Sequence, residues 1–436
     1  MPAMKGNETI SWISKRRGLS KLEVEVIPIS SIKNWNYNYK TIVHEKNSYF
    51  SIIGVEVNSK HDKKIDWDQP IIYQKEIGIL GFIIKDNKIL LQAKTEPGNV
   101  NGTHVAPSVQ ATVSNYMRKH GGDETKFLRY FLESDDNNYE RISDSLQSEQ
   151  GIRFMDKSNR NSIIRLRSGH YLEDNDDRFR WFEVKELLSL IDKEYLINTD
   201  TRSCLVSCNW EDLTENNIAF FTDSQDHGLK YWLNASYYQK DTSNRIFKRL
   251  KEIQNGKKYD FKIKDLDKLR NWRFNEDVII DDNQVEFAVK GFRVSVADRE
   301  VPYWEQPLVH NLSLGRVVLY CQKRDGVLKL LLNAQIIIGL DEAFVWGPSI
   351  QITKEDENIN FEGQTVLAEC MQSDEGGRFY QSKCLYQIVE LPERVKVTKS
   401  DMSYWASLAE IQSIVIQNKK TTNELRSVLS LLLKFL

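Results

Sequence analysis

Apolar and polar residues change places every few positions along most of this chain, and only a few stretches switch to helical spacing. Thr9 to Leu19 (TISWISKRRGL) has the periodicity of a short amphipathic helix, and Val24 to Leu91 reads as a run of strands. Within it, Ile77 to Ile84, the polar turn Lys85-Asp86-Asn87-Lys88 and a second apolar run, Ile89 to Ala93, predict a β-hairpin. Lys126 to Leu132 and Tyr139 to Leu146 have helical spacing, Ser162 to Leu166 is strand-like, and a helix is expected from Trp181 through Ile191. Further helices are expected near Ser243 to Ile253 and over Thr422 to Leu436, where Leu425, Val428, Leu429, Leu432 and Leu433 share one face. Short strands interspersed with helices indicate an α+β fold.

The hairpin opens into a loop dense in groups that can bind or react. Leu91 to Thr112, LQAKTEPGNVNGTHVAPSVQAT, carries Lys94, Glu96, Asn99, Asn101, His104 and Gln110, with Gly98, Gly102, Pro97 and Pro107 shaping its backbone. This stretch recurs. Ala93, Gly98, Pro107, Ser108, Gln110 and Thr112 fall on Ala334, Gly339, Pro348, Ser349, Gln351 and Thr353 at a constant offset of 241. Trp35, Phe50, Gly54, Trp67, Gln69 and Pro70 fall on Trp272, Phe287, Gly291, Trp304, Gln306 and Pro307 at 237. LQSEQGIRF, Leu146 to Phe154, returns as MQSDEGGRF at 225, and Trp181, Glu186, Arg202 and Ser203 return at 224. A repeat of this length means a duplication. It gives two equivalent domains, about residues 1–212 and 255–436, with residues 213–254 as a connector.

Composition narrows the class. The 436 residues carry 60 Lys and Arg against 62 Asp and Glu, so no whole-chain field favours nucleic acid or an anionic membrane. Five cysteines without a paired CxxC fit reduced thiols better than disulfides or a zinc site. MPAMKGNETISW lacks the apolar core of a signal peptide, and no apolar run is long enough for a bilayer, so a soluble, cytoplasmic protein is expected.

Taken together, WDQPIIYQKEIGILGF, LLQAKTEPGNVNG, APSVQATVSNY, LQSEQGIRF and NRN resemble the NDP-hexose 2,3-dehydratases, which make 2-deoxy sugars on nucleotide carriers. EQP, GPSIQIT and MQSDEGGRFY carry the same resemblance, more weakly, into the second half. The resemblance implies two tandem Nudix-like mixed-sheet domains. In the second copy Gln335, Ile337 and Ile338 stand for Lys94, Glu96 and Pro97, so the first loop alone is expected to serve a complete site. A Nudix box needs a helical ladder of carboxylates to hold a divalent metal against a diphosphate. Counting back from Gly151, its positions hold Tyr130, Asp136, Asp144-Ser145 and Ser148-Glu149, and the second copy offers Glu369, Cys370, Ser373 and Asp374. Most of the ladder is missing, which argues against metal-dependent pyrophosphate cleavage; a nucleotide-sugar binding module is the other alternative.

The resemblance implies a nucleotide-linked 4-keto-6-deoxy sugar such as dTDP-4-keto-6-deoxyglucose as substrate. Its C4 ketone acidifies the C3 proton, and the C2 hydroxyl lies β to the carbonyl, so neither metal nor cofactor is demanded. The protein must supply a base at C3, a proton for the leaving C2 oxygen and donors near the C4 oxygen. Glu96, Lys94, His104, Tyr116 and Glu149 are the candidates for these tasks. Arg118, Arg153, Arg160 and the amides around Gly98 are candidates for the diphosphate, and Gln69, Asn99, Asn101 and Gln110 for hydroxyls or the base. A downstream C3 ketoreductase and a homodimer are the expected partners.

Overall fold

The computed structural model describes residues 7–47, 49–59, 66–117, 124–133, 138–172, 176–214, 228–240, 243–257, 259–284, 286–297, 301–340, 343–352, 360–397 and 400–436. Two repeated halves of mixed α+β structure are present. Each contains a seven-stranded mixed sheet of the same topology. In the first, Tyr139–Ser148, Ser158–Leu166, Gly78–Lys85, Lys88–Thr95 and Phe179–Glu183 lie side by side, with Ser158–Leu166 parallel to Gly78–Lys85. Thr103–Ala106 and Val109–Ala111 add to the hairpin strands. The second half repeats the order around Gly315–Arg324, itself parallel to Lys383–Glu390.

The smaller sheets tie the halves together by exchange. Glu23–Ile27 pairs with Phe287–Ser295 of the second half, and Asp260–Lys264 pairs with Ser51–Asn58 of the first. The echoed glycines explain their own recurrence. A Cβ on Gly54 would lie 2.7 Å from the Lys264 carbonyl oxygen, and one on Gly291 would lie 2.7 Å from that of Ile27. Each glycine lets an incoming strand approach where any larger side chain would meet backbone.

Two buried helices, Thr199–Val206 and Asn423–Leu429, pack on each other where the halves meet. Their polar groups satisfy one another: Thr199 Oγ1 donates to Asn423 Oδ1 (2.9 Å), Arg202 Nη1 to Ser430 Oγ (3.0 Å) and Arg426 Nε to Ser203 Oγ (2.8 Å). One apolar core runs through both large sheets, from Leu80, Phe82 and Val105 to Leu319, Leu330 and Leu425. A buried polar seam inside a continuous core fixes one register of the halves, because any slip would strand two guanidinium groups.

Several predicted elements stand, and some shift. Helices occupy Asn7–Ser20 and Ser243–Gly256, and the hairpin is Gly78–Lys85 with Lys88–Thr95. Trp181 lies in a strand, and its helix is only Val184–Ser189; Lys126 to Leu132 yields one helical turn, Arg129–Leu132. Thr422 to Leu436 is α-helical over Asn423–Leu429 and then tightens to a 3-10 helix, Ser430–Phe435. The expected helix over Tyr139 to Leu146 is instead a strand, Tyr139–Ser148. A register break between Arg141 and Ser143 interrupts the two-residue alternation and leaves Tyr139, Ile142 and Leu146 at helix-like spacing. The Nudix-box count, which presumed a helix there, loses its footing with it. All five cysteines are free, and among the described residues no helix is long and apolar enough to cross a membrane.

Candidate active site

The strand Lys88–Thr95 sends Ile89, Leu91 and Ala93 into the shared core. The alternation puts Gln92 and Lys94 on its other face, and both line a cleft of about 680 Å3. That volume is in the range of small-molecule sites. At the strand's end the chain folds on itself: Asn99 N donates to Glu96 O (3.2 Å), Gly102 N to Asn99 O (3.1 Å) and Asn99 Nδ2 to Gly102 O (3.0 Å). This turn holds Glu96 inward, where it is 4% exposed.

Glu96 is oriented through one oxygen. Gln110 Nε2 donates to its Oε1 (3.1 Å), while Gln110 Oε1 accepts from Asn198 Nδ2 (3.0 Å), the cap of helix Thr199–Val206. Lys94 Nζ donates to the Gln110 carbonyl (2.9 Å) and lies 3.9 Å from Glu96 Oε1. Among the described residues Glu96 Oε2 has no hydrogen-bond partner although it is buried. A buried carboxylate oxygen without a partner, on a residue that lines a cleft, is one whose bonding a ligand or water would complete.

Three more carboxylates face the same cleft. Glu149 accepts from Asn159 Nδ2 (2.7 Å) and Asn423 Nδ2 (3.3 Å); burial raises its pKa, opposed by Arg426, Lys157 and the Asn159 bond. Asp200, on the helix behind Gln110, is driven well above the carboxylate range by burial and then by the charges of Glu149, Glu375 and Glu96. Glu375 is pushed up to about 7 by burial and by Glu96, with Arg378 opposing. Burial raises all three of these carboxyls, and a cluster of raised carboxyls in a cleft is a source of acid and base groups. Among the described residues no group of three or more His, Cys, Asp and Glu side chains is placed to hold a metal ion.

Glu375 brings the second half of the chain into the wall of the cleft that the first loop lines. It comes from the second half with Gly377 and Arg378, and the two turns are stitched by Gly98 N to Gly376 O (2.8 Å) and Gln381 N to Gly98 O (2.8 Å). Asp200 and Lys157, also in the cleft wall, were likewise absent from the sequence reading. The doubled glycine after Glu375, set against Gly-Ile after Gln150, is a signal that marks this turn. A Cβ on Gly376 would lie 2.7 Å from Asn99 N.

The remaining sequence candidates divide. Lys94, Glu96, Gln110 and Glu149 converge on the cleft. His104 does not; its Nε2 bonds the Val100 carbonyl (2.6 Å) inside the loop, and burial drops its pKa to about 4, so it is a neutral structural ring. Gly98 cannot cradle an anion, since its amide is already bonded to Gly376 and a Cβ there would lie 1.6 Å from Phe379 O. Asn99 closes the turn, and Asn101 sits exposed at its tip with φ +67°. Gln69 ties Nε2 to Ile152 O (2.5 Å). Arg153 is buried over the Phe287 ring (4.0 Å), and Arg160 forks onto Asp144 (2.7 and 2.6 Å), so neither reaches the cleft. The Tyr116 side chain and Arg118 lie outside the described residues.

Comparison with known proteins gives the family. The family model for NDP-hexose 2,3-dehydratase matches residues 6–208 and 243–432. A dTDP-4-dehydro-6-deoxy-alpha-D-glucopyranose 2,3-dehydratase of Amycolatopsis orientalis is 29% identical over 453 residues, spanning 98% of this chain and 90% of the relative. Proteins of the same name from Saccharopolyspora spinosa and Streptomyces violaceoruber are 28% and 27% identical, covering 93% and 87% of this chain and 86% of each relative. Overlap with a crystal structure of an ADP compounds hydrolase is confined to 30% of this chain and 75% of that one, at 16% identity and a TM-score of 0.20, and has no part in the assignment. With the family model spanning both halves, the chain belongs to the NDP-hexose 2,3-dehydratase family.

Proposed function

We propose that this protein removes the C2 hydroxyl and the C3 proton of dTDP-4-keto-6-deoxyglucose, giving the 3,4-diketo-2,6-dideoxy sugar. The observation that carries this reading is the Glu96 carboxylate in the cleft wall, with one oxygen held by Gln110 and the other buried without a partner. Glu96 takes the C3 proton, which the C4 ketone has made acidic. Gln110 keeps the carboxylate aimed, and Lys94, 3.9 Å from it, is the cation assigned to the enolate charge that develops on the C4 oxygen. The ketone is the electron sink. The exposed lysines of the rim, Lys33 and Lys46, are the cations assigned to the diphosphate in place of Arg153 and Arg160. The thymidine carrier is taken from the names of the relatives.

The two repeats are read as domains of about residues 1–212 and 255–436 on a connector, in a cytoplasmic homodimer. A vicinal diketone next to a new methylene is reactive, so a C3 ketoreductase is the enzyme that consumes the product. Incubation of the purified protein with dTDP-4-keto-6-deoxyglucose in deuterium oxide, without added metal, tests the activity by NMR. Loss of the C3 proton and of the C2 hydroxyl, with deuterium entering C2 of the product, is expected; an unchanged spectrum contradicts the reading.

A further inference from the structure

We propose that Glu375, from the second half of the chain, is the catalytic acid that protonates the leaving C2 oxygen, working across the cleft from Glu96. The inference rests on the dehydratase reading above and adds the half-reaction that Glu96 does not perform.

Position is the first argument. The turn bearing Glu375 is bonded to the turn bearing Glu96 through Gly98 and Gly376, so backbone holds both residues in the wall of one cleft. Gly377 N donates to Glu375 Oε1 (2.9 Å), which fixes one oxygen. A Cβ on Gly377 would lie 2.4 Å from that oxygen, so the glycine is what admits it. Glu375 keeps surface open to the cleft while protein surrounds it, as a proton donor requires.

The second argument is the molecule's internal control. The repeat places Gln150 where Glu375 stands and Ile337 where Glu96 stands. Because the halves exchange turns, these two replacements fall in one and the same counterpart site: a Cβ on Gly151, beside Gln150, would lie 2.7 Å from Ile337. Glu96 and Glu375 have thus been lost together there, although they lie in different halves. Asp200 and Glu149 behave otherwise, persisting as Glu424 and Asp374. The carboxylates kept where the reactive loop is gone are common to both halves; the pair lost with the loop is particular to the first cleft.

The step balances. Glu96 removes the proton from C3, giving an enediolate across C3 and C4. The C4 carbonyl re-forms as the C2–C3 double bond forms and the C2–O bond breaks, and the proton of Glu375 leaves with that oxygen as water. The resulting C3 enol takes a proton at C2 and loses one from its oxygen, and nothing is oxidised or reduced overall. The donor must be protonated, and the Glu375 carboxyl titrates at about 7, so turnover falls as pH rises through about 7.

The test separates C3–H exchange from loss of the C2 oxygen. In E375Q, deuterium is expected to enter C3 at close to the wild-type rate, while water loss falls by about 10²-fold or more. An NDP-4-keto sugar with fluorine at C2 needs no acid, since fluoride leaves unaided; E375Q should eliminate fluoride nearly as fast as wild type. Wild type itself supplies a second measurement that depends on no variant folding: the fall in turnover above about pH 7 should be present for the hydroxyl substrate and absent for the fluoro sugar. Equal loss of exchange and elimination in E375Q, with no rescue by fluoride, overturns the assignment, as does uncoupling in D200N but not in E375Q. Wild type that neither exchanges nor dehydrates overturns the function itself.

Discussion

The cleft around Glu96 and its counterpart around Ile337 are built from the same backbone and differ in a handful of side chains. In the first, Gln110 holds Glu96; in the second, Gln351 Nε2 turns to Glu424 (3.2 Å), the residue equivalent to Asp200. Ile337 and Ile338 are each 1% exposed; Ile337 packs against Gly151, and Ile338 lies in the apolar cluster of Met155. Lys94, Glu96, Lys157 and Glu375 give way to Gln335, Ile337, Ser382 and Gln150, two cations and two carboxylates in balance. Asp374 stays, pushed up to about 7 by burial and by Glu424. An acidic interior therefore does not make a site. What distinguishes the first cleft is charge with room to meet a ligand.

The sharpest way to break this comparison is to write the second copy into the first. Lys94→Gln with Glu96→Ile should lower turnover by about 10⁴-fold while leaving the melting temperature near wild type, because the counterpart backbone already accepts those residues. The reverse change, Ile337→Glu, should not create activity. It should cost at least about 2 kcal/mol of stability in denaturant titration, since it puts a carboxyl into an apolar contact with no donor provided. Lys94→Gln alone should reduce kcat by about 10²-fold with little change in KM, if its charge acts on the enolate rather than on the bound ground state.

Smaller effects are expected where the halves interlock. Gly54→Ala or Gly291→Ala should each destabilise by about 1–3 kcal/mol, seen as a lower denaturation midpoint, because the added carbon meets an exchanged strand. His104→Ala should cost roughly 1–3 kcal/mol through the lost bond to Val100, and the folded fraction should keep its kcat and pH profile. A selective loss of kcat in the His104 variant would restore it as a catalytic candidate.

The sequence disclosed the hairpin, the loop and the duplication because each is local or repeats at a fixed offset. Lys94, Glu96 and Gln110 followed from their density beside that hairpin, and Glu149 from its place at the last carboxylate position of the Nudix-box count. Glu375 was hidden for a physical reason: it enters the first cleft through long-range packing of two turns, and nothing near Glu96 in sequence announces that contact. The exchange of Glu23–Ile27 and Asp260–Lys264 was hidden likewise, since strand patterning specifies faces and not partners. Arg153 and Arg160 drew attention as cations, yet one is stacked on Phe287 and the other is neutralised by Asp144, which residue type alone does not reveal. Gly98 looked suited to an anion, whereas its lack of a side chain accommodates Phe379 of the other half.

The central claim is that proton abstraction at C3 occurs at Glu96 and nowhere else in the molecule. NMR of dTDP-4-keto-6-deoxyglucose in deuterium oxide with Glu96→Gln, matched to wild type in melting temperature, tests it directly. Wild type should lose the C3 proton and form product carrying deuterium at C2, whereas the variant should keep its C3 proton and lose no water. Loss of the C3 proton at the wild-type rate in the variant would contradict it.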